Sequence, residues 1–238
     1  MRGRDLKVKF FDILIFDTKK LEKCLEFGNE KEVYRYFSDG RRLSFLLEIR
    51  LARILNAELA HPNKGYDLIV KSGKLQGKWE VRTLTERVYF SPSKDVGYGR
   101  ATNKDSIDKK LSEINGYIIG DAYLFPSVPV FILYSSDLKC HIDGHTNSKG
   151  ELESDILTKN YTITRSKFWK KLVYHSLSEK EIAKIIRLLE YDNAKNILNY
   201  FTKKDILNMT KKLDMSLKSG MKKNELIKAL LDEIKLKT

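Results

Sequence analysis

Proline is scarce in this chain: only four occur, all before residue 130. The last hundred residues therefore lack the one side chain that most reliably breaks a helix. Cysteine is scarcer still, with Cys24 and Cys140 alone. One disulfide at most can form, which argues against a small secreted scaffold stapled by several. No apolar run approaches the roughly 20 residues of a membrane span. The apolar stretch near the start, "KVKFFDILIFD", is interrupted by Asp12 and Asp17, which argues against a signal peptide and for a cytoplasmic location. Repeats and low-complexity tracts are absent. Acidic residues are in the minority, 32 against 45 Lys plus Arg, for a formal net charge of +13. Such a surplus favours a polyanionic partner, either nucleic acid or an acidic membrane surface. With 42% hydrophobic residues in 238, the chain can build one good-sized domain and a small appendage.

The hydrophobic pattern predicts a strand over residues 7–16 and a mixed helical stretch through "TKKLEKCLEFGNEKEVYRYF". Ser38 or Asp39 can cap a longer helix, "RRLSFLLEIRLARILNAEL", with a wide apolar face. "YDLIV", "KWEVRTL" and "RVYFS" read as three strands. After the loop "SPSKDVGYGRATNK", Asn103 can cap a helix that carries Ile107, Leu111 and Ile114 on one face and ends at Gly116. "YIIGD" and "VPVFILYSS" suit strands buried on both faces. In "CHIDGHTNSKGE", Cys140, His141, Asp143 and His145 lack the second ligand pair of a structural zinc site, and "DG" reads as a hairpin turn. Beyond Trp169 the pattern is helical. A capping box of Ser178 and Glu181 opens one helix, and two more cover 203–213 and 222–234. A boundary near residue 175 divides a larger domain, 1–175, from a helical module, 176–238.

The chemistry gathers on a few carboxylates. If 66–70 pairs with 78–83 around a turn at Gly73-Lys74, Asp67 falls directly opposite Glu80. Opposed residues share a face with Cβ atoms about 4.5–5.5 Å apart. Two carboxylates that close repel, and a hard cation such as Mg²⁺ is the natural compensation. Arg82 shares the face and reads either as a rung of a charge ladder or as part of a site. Glu48 sits on the apolar helix face among Phe45, Leu51, Ala52 and Leu55. A carboxylate there needs a partner, an arginine or a metal.

This arrangement resembles the PD-(D/E)xK nuclease superfamily, which includes most type II restriction endonucleases. The likeness covers roughly residues 38–135. It implies an α/β fold with an αβββαβ core, a central mixed sheet flanked by helices. Asp67 and Glu80 match the family's metal-binding acids, the Val81 carbonyl a further metal ligand, and Glu48 the auxiliary helical acid. Arg82 stands where the family has lysine. An arginine stays protonated and cannot act as a base, so it is left to stabilise charge on the phosphate, and generating the nucleophile falls to Mg²⁺.

Two segments are candidates for contacting DNA. In the loop after the third strand, Lys94, Tyr98, Arg100 and Lys104 can meet phosphates or base edges. Residues 200–236 are similar to a SAP module, a helix–extended–helix DNA-binding unit. The likeness rests on Ile206, Met209 and Leu213, the connector "SGMKK", and Leu226, Ile227 and Leu230. It implies phosphate contacts at Lys218, Lys222 and Lys223. The leading expectation is a sequence-specific, Mg²⁺-dependent endonuclease of the restriction type acting on double-stranded DNA, as a monomer or a two-fold dimer. Two alternatives stay open: a repair, nicking or structure-selective nuclease on the same core, and a non-catalytic DNA-binding protein.

Overall fold

The computed structural model describes residues 6–61, 64–92, 103–215 and 220–236. The chain is α/β and divides into two compact units after Arg165, ten residues before the boundary expected from the sequence. The difference lies in residues 166–175. There a short helix, α6 (Arg165–Lys167), runs into a π-helical turn (Phe168–Val173) and α7 (Tyr174–Ser176). Phe168, Trp169, Leu172 and Val173 in this run are all buried.

The first unit is built on a mixed six-stranded sheet in the order β1-β7-β6-β4-β3-β2. Its strands are β1 (Lys9–Ile15), β2 (Ala57–Leu59), β3 (Leu68–Val70), β4 (Gly77–Leu84), β6 (Gly116–Asp121) and β7 (Ser127–Tyr134). Only β4 and β6 run parallel. Every residue of β6 is buried, as its unbroken apolar run requires of a central strand. The expected strand at "RVYFS" is β5 (Arg87–Tyr89), but it pairs with β8 (Thr162–Thr164) in a separate two-stranded sheet. The meander that leads into β4 takes β2 instead.

Helix α1 (Thr18–Cys24) and α2 (Glu30–Phe37) start at Asp17 and Asn29, whose side chains accept hydrogen bonds from the first turn. Asp39 caps α3 (Gly40–Ile54), accepting from the Arg41 N–H. Leu43, Leu47 and Leu51 of α3 are fully buried against the sheet face that carries Trp79 and Val81. Asn103 caps α4 (Lys104–Glu113) as expected, its side chain accepting from the Ser106 N–H. That helix ends three residues before Gly116, which instead opens β6. "CHIDG" is not a hairpin turn but the second half of α5 (Ser135–Gly144). Its Asp-Gly pair closes a helix, and the chain turns later, through the bridge Thr146–Leu152.

The second unit contains α8 (Glu179–Leu188), α9 (Tyr191–Tyr200), α10 (Lys203–Lys212) and α11 (Lys223–Leu236). Ser178 and Glu181 form the expected capping box. Ile206 and Met209 on α10 and Leu226, Ile227 and Leu230 on α11 are buried, with Leu213 half-buried. No helix among the described residues is long and apolar enough to cross a membrane.

Asn115 joins α4 to the sheet. Its side-chain oxygen accepts from the Lys78 N–H at 2.8 Å, and its own N–H donates to the Lys78 carbonyl at 2.7 Å. The next residue must be glycine for a steric reason. A Cβ at Gly116 would collide with the Leu133 carbonyl oxygen and lie 2.9 Å from the Trp79 ring. Gly116→Ala is expected to cost about 1–3 kcal/mol by overpacking, read as a lower urea midpoint; an unchanged midpoint would show that the strands tolerate separation here.

Candidate active site

The site forms where β4 outruns its neighbour. β3 pairs with β4 only from Leu68 opposite Trp79 to Val70 opposite Gly77. This is the register expected from the sequence. The connection is a six-residue loop, 71–76, rather than two residues, but it is centred on the same Gly73-Lys74 bond and so does not shift the pairing. Asp67 therefore stands across from Glu80. Just there the ladder gives way to side-chain bonding. The Asp67 N–H donates to the Trp79 carbonyl at 2.9 Å, and Asp67 Oδ2 accepts from the Val81 N–H at 2.7 Å. The N–H and C=O of one strand residue leave on the same edge, so the Val81 carbonyl shares the edge that Asp67 occupies.

Alternation then sorts β4 into two faces. Thr83 points to α3, donating from Oγ1 to the Gly40 carbonyl at 2.9 Å. Glu80 and Arg82 point to the other face. Glu80 is 4% exposed, and Arg82 Nη2 donates to its Oε1 at 2.8 Å. The same guanidinium reaches the Ser91 carbonyl at 3.3 Å, while its buried Nε has no hydrogen-bond partner among the described residues.

The second oxygen of Glu80 is taken by a residue that the sequence reading passed over. Lys110 of α4 is 5% exposed, and its ammonium donates to Glu80 Oε2 and to the Gly65 carbonyl. A signal existed. Lys110 lies on the helix face formed by Ile107, Leu111 and Ile114, a charged residue among apolar ones, just as Glu48 does on α3.

Glu48 completes the group. Its Oε1 accepts from Ser44 Oγ at 3.2 Å. Partial burial, and then the nearby Asp67 carboxylate, push its pKa up to about 7. Burial, and then Glu80, push Asp67 up to about 6. Three carboxylates thus share one electrostatic neighbourhood with Arg82 and Lys110. The donor set suits a hard dication in atom type and charge. As arranged, however, no three acidic, His or Cys side chains among the described residues form a ready metal cage, for Glu80 has both oxygens in ion pairs. A cation would take the place of one of those partners, held by Asp67, Glu80 and the Val81 carbonyl, with Glu48 beside them.

The expected DNA-contacting residues fare differently. Lys94, Tyr98, Arg100 and Lys218 lie outside the described residues. Lys104 is tied into a surface ion-pair network, 2.6 Å from Asp108 and 2.7 Å from Asp143, which raises its pKa and offsets its charge. Lys223 donates to the Asn199 carbonyl at 2.7 Å, at the end of α9. Lys222 is exposed, with its backbone N–H bound to Glu225. The His141–His145 pair stacks at 4.1 Å on α5, and His141 Nε2 lies 2.8 Å from Ser154 Oγ.

The raised carboxylates make a stability prediction. Both hold a proton more tightly in the folded chain, so their stabilising contribution is lost as pH rises through about 6 and about 7. Glu48→Gln and Asp67→Asn remove that loss. Melted in EDTA, each variant is expected to match the parent near pH 4.5 and to exceed it by about 2–4 °C at pH 8, the scale of ~1 kcal/mol in a chain this size. A gap that does not widen with pH contradicts the electrostatic assignment. No family model, no curated protein and no solved structure matches the chain.

Proposed function

We propose that the chain is a metal-dependent endonuclease that hydrolyses phosphodiester bonds in DNA, with the acids of β3 and β4 as its centre. The observation that carries this reading is the convergence of Asp67, Glu80 and Glu48 with Arg82 and Lys110 around β4. The order of elements supports it as well. Helix α3, the meander β2-β3-β4, helix α4 and strand β6 follow the αβββαβ order of the PD-(D/E)xK core, with Asp67 at the second strand and Glu80 on the third. The basic balance of the chain suits a polyanionic substrate. Within that class the reading is a sequence-specific enzyme of the restriction type. The α10–α11 hairpin would serve as a SAP-like module holding duplex through Lys222 and the connector.

Bound Mg²⁺ would supply a polarised water and offset charge on the scissile phosphate. The residues of the chain do the rest. Asp67 is oriented by the Val81 N–H, so its second oxygen is presented in one direction. Lys110 takes the part assigned to the motif lysine, reaching the same carboxylate from a helix instead of from two residues along the strand. Its ammonium can orient the attacking water. Arg82, with Nε unengaged among the described residues, is placed to stabilise negative charge on the phosphate oxygens.

This division of roles sets the test. Plasmid cleavage is measured in Mg²⁺ and in EDTA. Asp67→Ala and Glu80→Ala are expected to abolish cleavage, and Lys110→Met to lower it at least 100-fold. Arg82→Lys is expected to retain most activity, because a cation at that place suffices. Full cleavage by Glu80→Ala would sink the nuclease reading. Full cleavage by Lys110→Met with loss in Arg82→Lys would return the role to the strand. Discrete fragments mark the restriction type, and cuts confined to branched or frayed DNA mark the structure-selective alternative.

A further inference from the structure

Helix α3 presents more than Glu48 to the surroundings of the site. Its inner face is filled by Leu43, Leu47 and Leu51, but Phe45 is 62% exposed and Ile49 44% exposed. On a helix, residues three and four apart are neighbours. Phe45 therefore stands beside Glu48 on the solvent side, with Arg41 on one flank and Ile49 on the other. Arg41, Arg42, Arg50 and Arg53 are all exposed on the same helix. Asp39, which caps α3 by accepting from the Arg41 N–H, lies 4.0 Å from Arg42 Nε, and Asp17, at the groove beside α1, accepts from the Lys20 N–H. From Ile49 the surface continues into a groove of about 280 Å³ between α1 and α3, with Leu21 and Leu46 along it and Lys20, Arg50 and Arg53 at its walls.

An exposed ring, an apolar floor and a row of cations together suit one kind of occupant. A second copy of the chain would set these arginines against their equals across a two-fold axis. A duplex offers phosphates but no free base faces. A single strand offers both. Its bases stack on aromatic rings while its backbone follows the cations, and such stacking is tolerant of sequence. We propose that the outer face of α3 binds single-stranded polynucleotide, with Phe45 stacking on an unpaired base next to the scissile phosphate and Lys20, Arg50 and Arg53 meeting the phosphates beyond it. This deepens the nuclease reading and rests on it for the position of the cut. It names the form of substrate as DNA that is unpaired or frayed beside the site, which within the nuclease reading favours the structure-selective enzyme over the restriction type.

The test uses the full-length protein in EDTA, so that binding is measured without cleavage. The probe is a 12-nucleotide strand carrying one 2-aminopurine, free or annealed to its complement. Stacking is expected to quench the probe in the single strand and not in the duplex. Phe45→Ala should abolish the quench and weaken single-strand binding about tenfold, a typical stacking loss. Phe45→Trp should restore both. Arg50→Ala and Arg53→Ala should each flatten the slope of log affinity against log salt by about 0.7. Phe45 is mostly exposed, so its truncation leaves the core untouched. Unchanged binding and quench in Phe45→Ala would overturn the proposal. So would sedimentation showing that Phe45→Ala turns a dimer into a monomer, which would give the face to a second copy. A chain that binds in this way yet never cleaves DNA in Mg²⁺ would leave this proposal standing and sink the nuclease reading alone.

Discussion

The carboxylate of Glu80 holds the site together. It is almost completely buried, and a buried charge is tolerable only when paired. Its two partners come from different parts of the chain. Arg82 is two residues along the same strand, and Lys110 arrives on a helix thirty residues later. Removing either would leave Glu80 with one cation for two buried oxygens. The same Lys110 ammonium also binds the Gly65 carbonyl, two residues before Asp67. One cation thus ties α4 to β4 and steadies the segment that delivers Asp67. The acids are placed by the ion pairs as much as by the sheet.

The sheet contributes by stopping short. β3 has three residues and β4 has eight, so β4 carries an edge with no ladder partner on that side. A bare edge would leave N–H and C=O groups unmet. The Asp67 side chain meets one of them by accepting from the Val81 N–H. The bond that repairs the edge also orients the acid. Beyond the end of β3, a side chain from α3 can share a field with side chains on the opposite face of β4. For that reason the charge of Asp67 is felt by Glu48 although α3 covers the face that carries Val81.

Much of this was legible in the sequence, and the rest was illegible for physical reasons. Strand alternation put Glu80 and Arg82 on one face, and the hairpin centre opposed Asp67 to Glu80. The loop had six residues instead of two, yet the register survived because a hairpin's pairing depends on where the loop is centred. "RVYFS" was legible as a strand but its place in a separate sheet with β8 was not, since alternation reports a half-buried strand but not its partner. Gly116 was read as a helix end, when what demands glycine there is the approach of Leu133 and Trp79, both distant in sequence. Asp143-Gly144 was read as a turn, but the apolar Leu138 and Ile142 extend a helix into it. Lys110 was missed because Lys109 and Lys110 look like an ordinary solvated pair. Only the phase of the helix separates them, one outward and one among Ile107, Leu111 and Ile114.

Charge balance gives that lysine its place in the proposed chemistry. Three carboxylates against Arg82 and Lys110 leave one negative charge when all are ionised. Burial and mutual repulsion raise Glu48 to about 7 and Asp67 to about 6, so the site relieves that charge by taking up a proton as pH falls toward this range. A dication would overcompensate by one once that proton leaves, and a phosphodiester carries the one negative charge that then remains to be matched. With arginine alone and no Lys110, the same acids and a dication would sum to zero, leaving no net positive charge to attract the phosphate in a partly dry site. Lys110 therefore supplies the net positive charge that a phosphodiester would meet in the proposed chemistry.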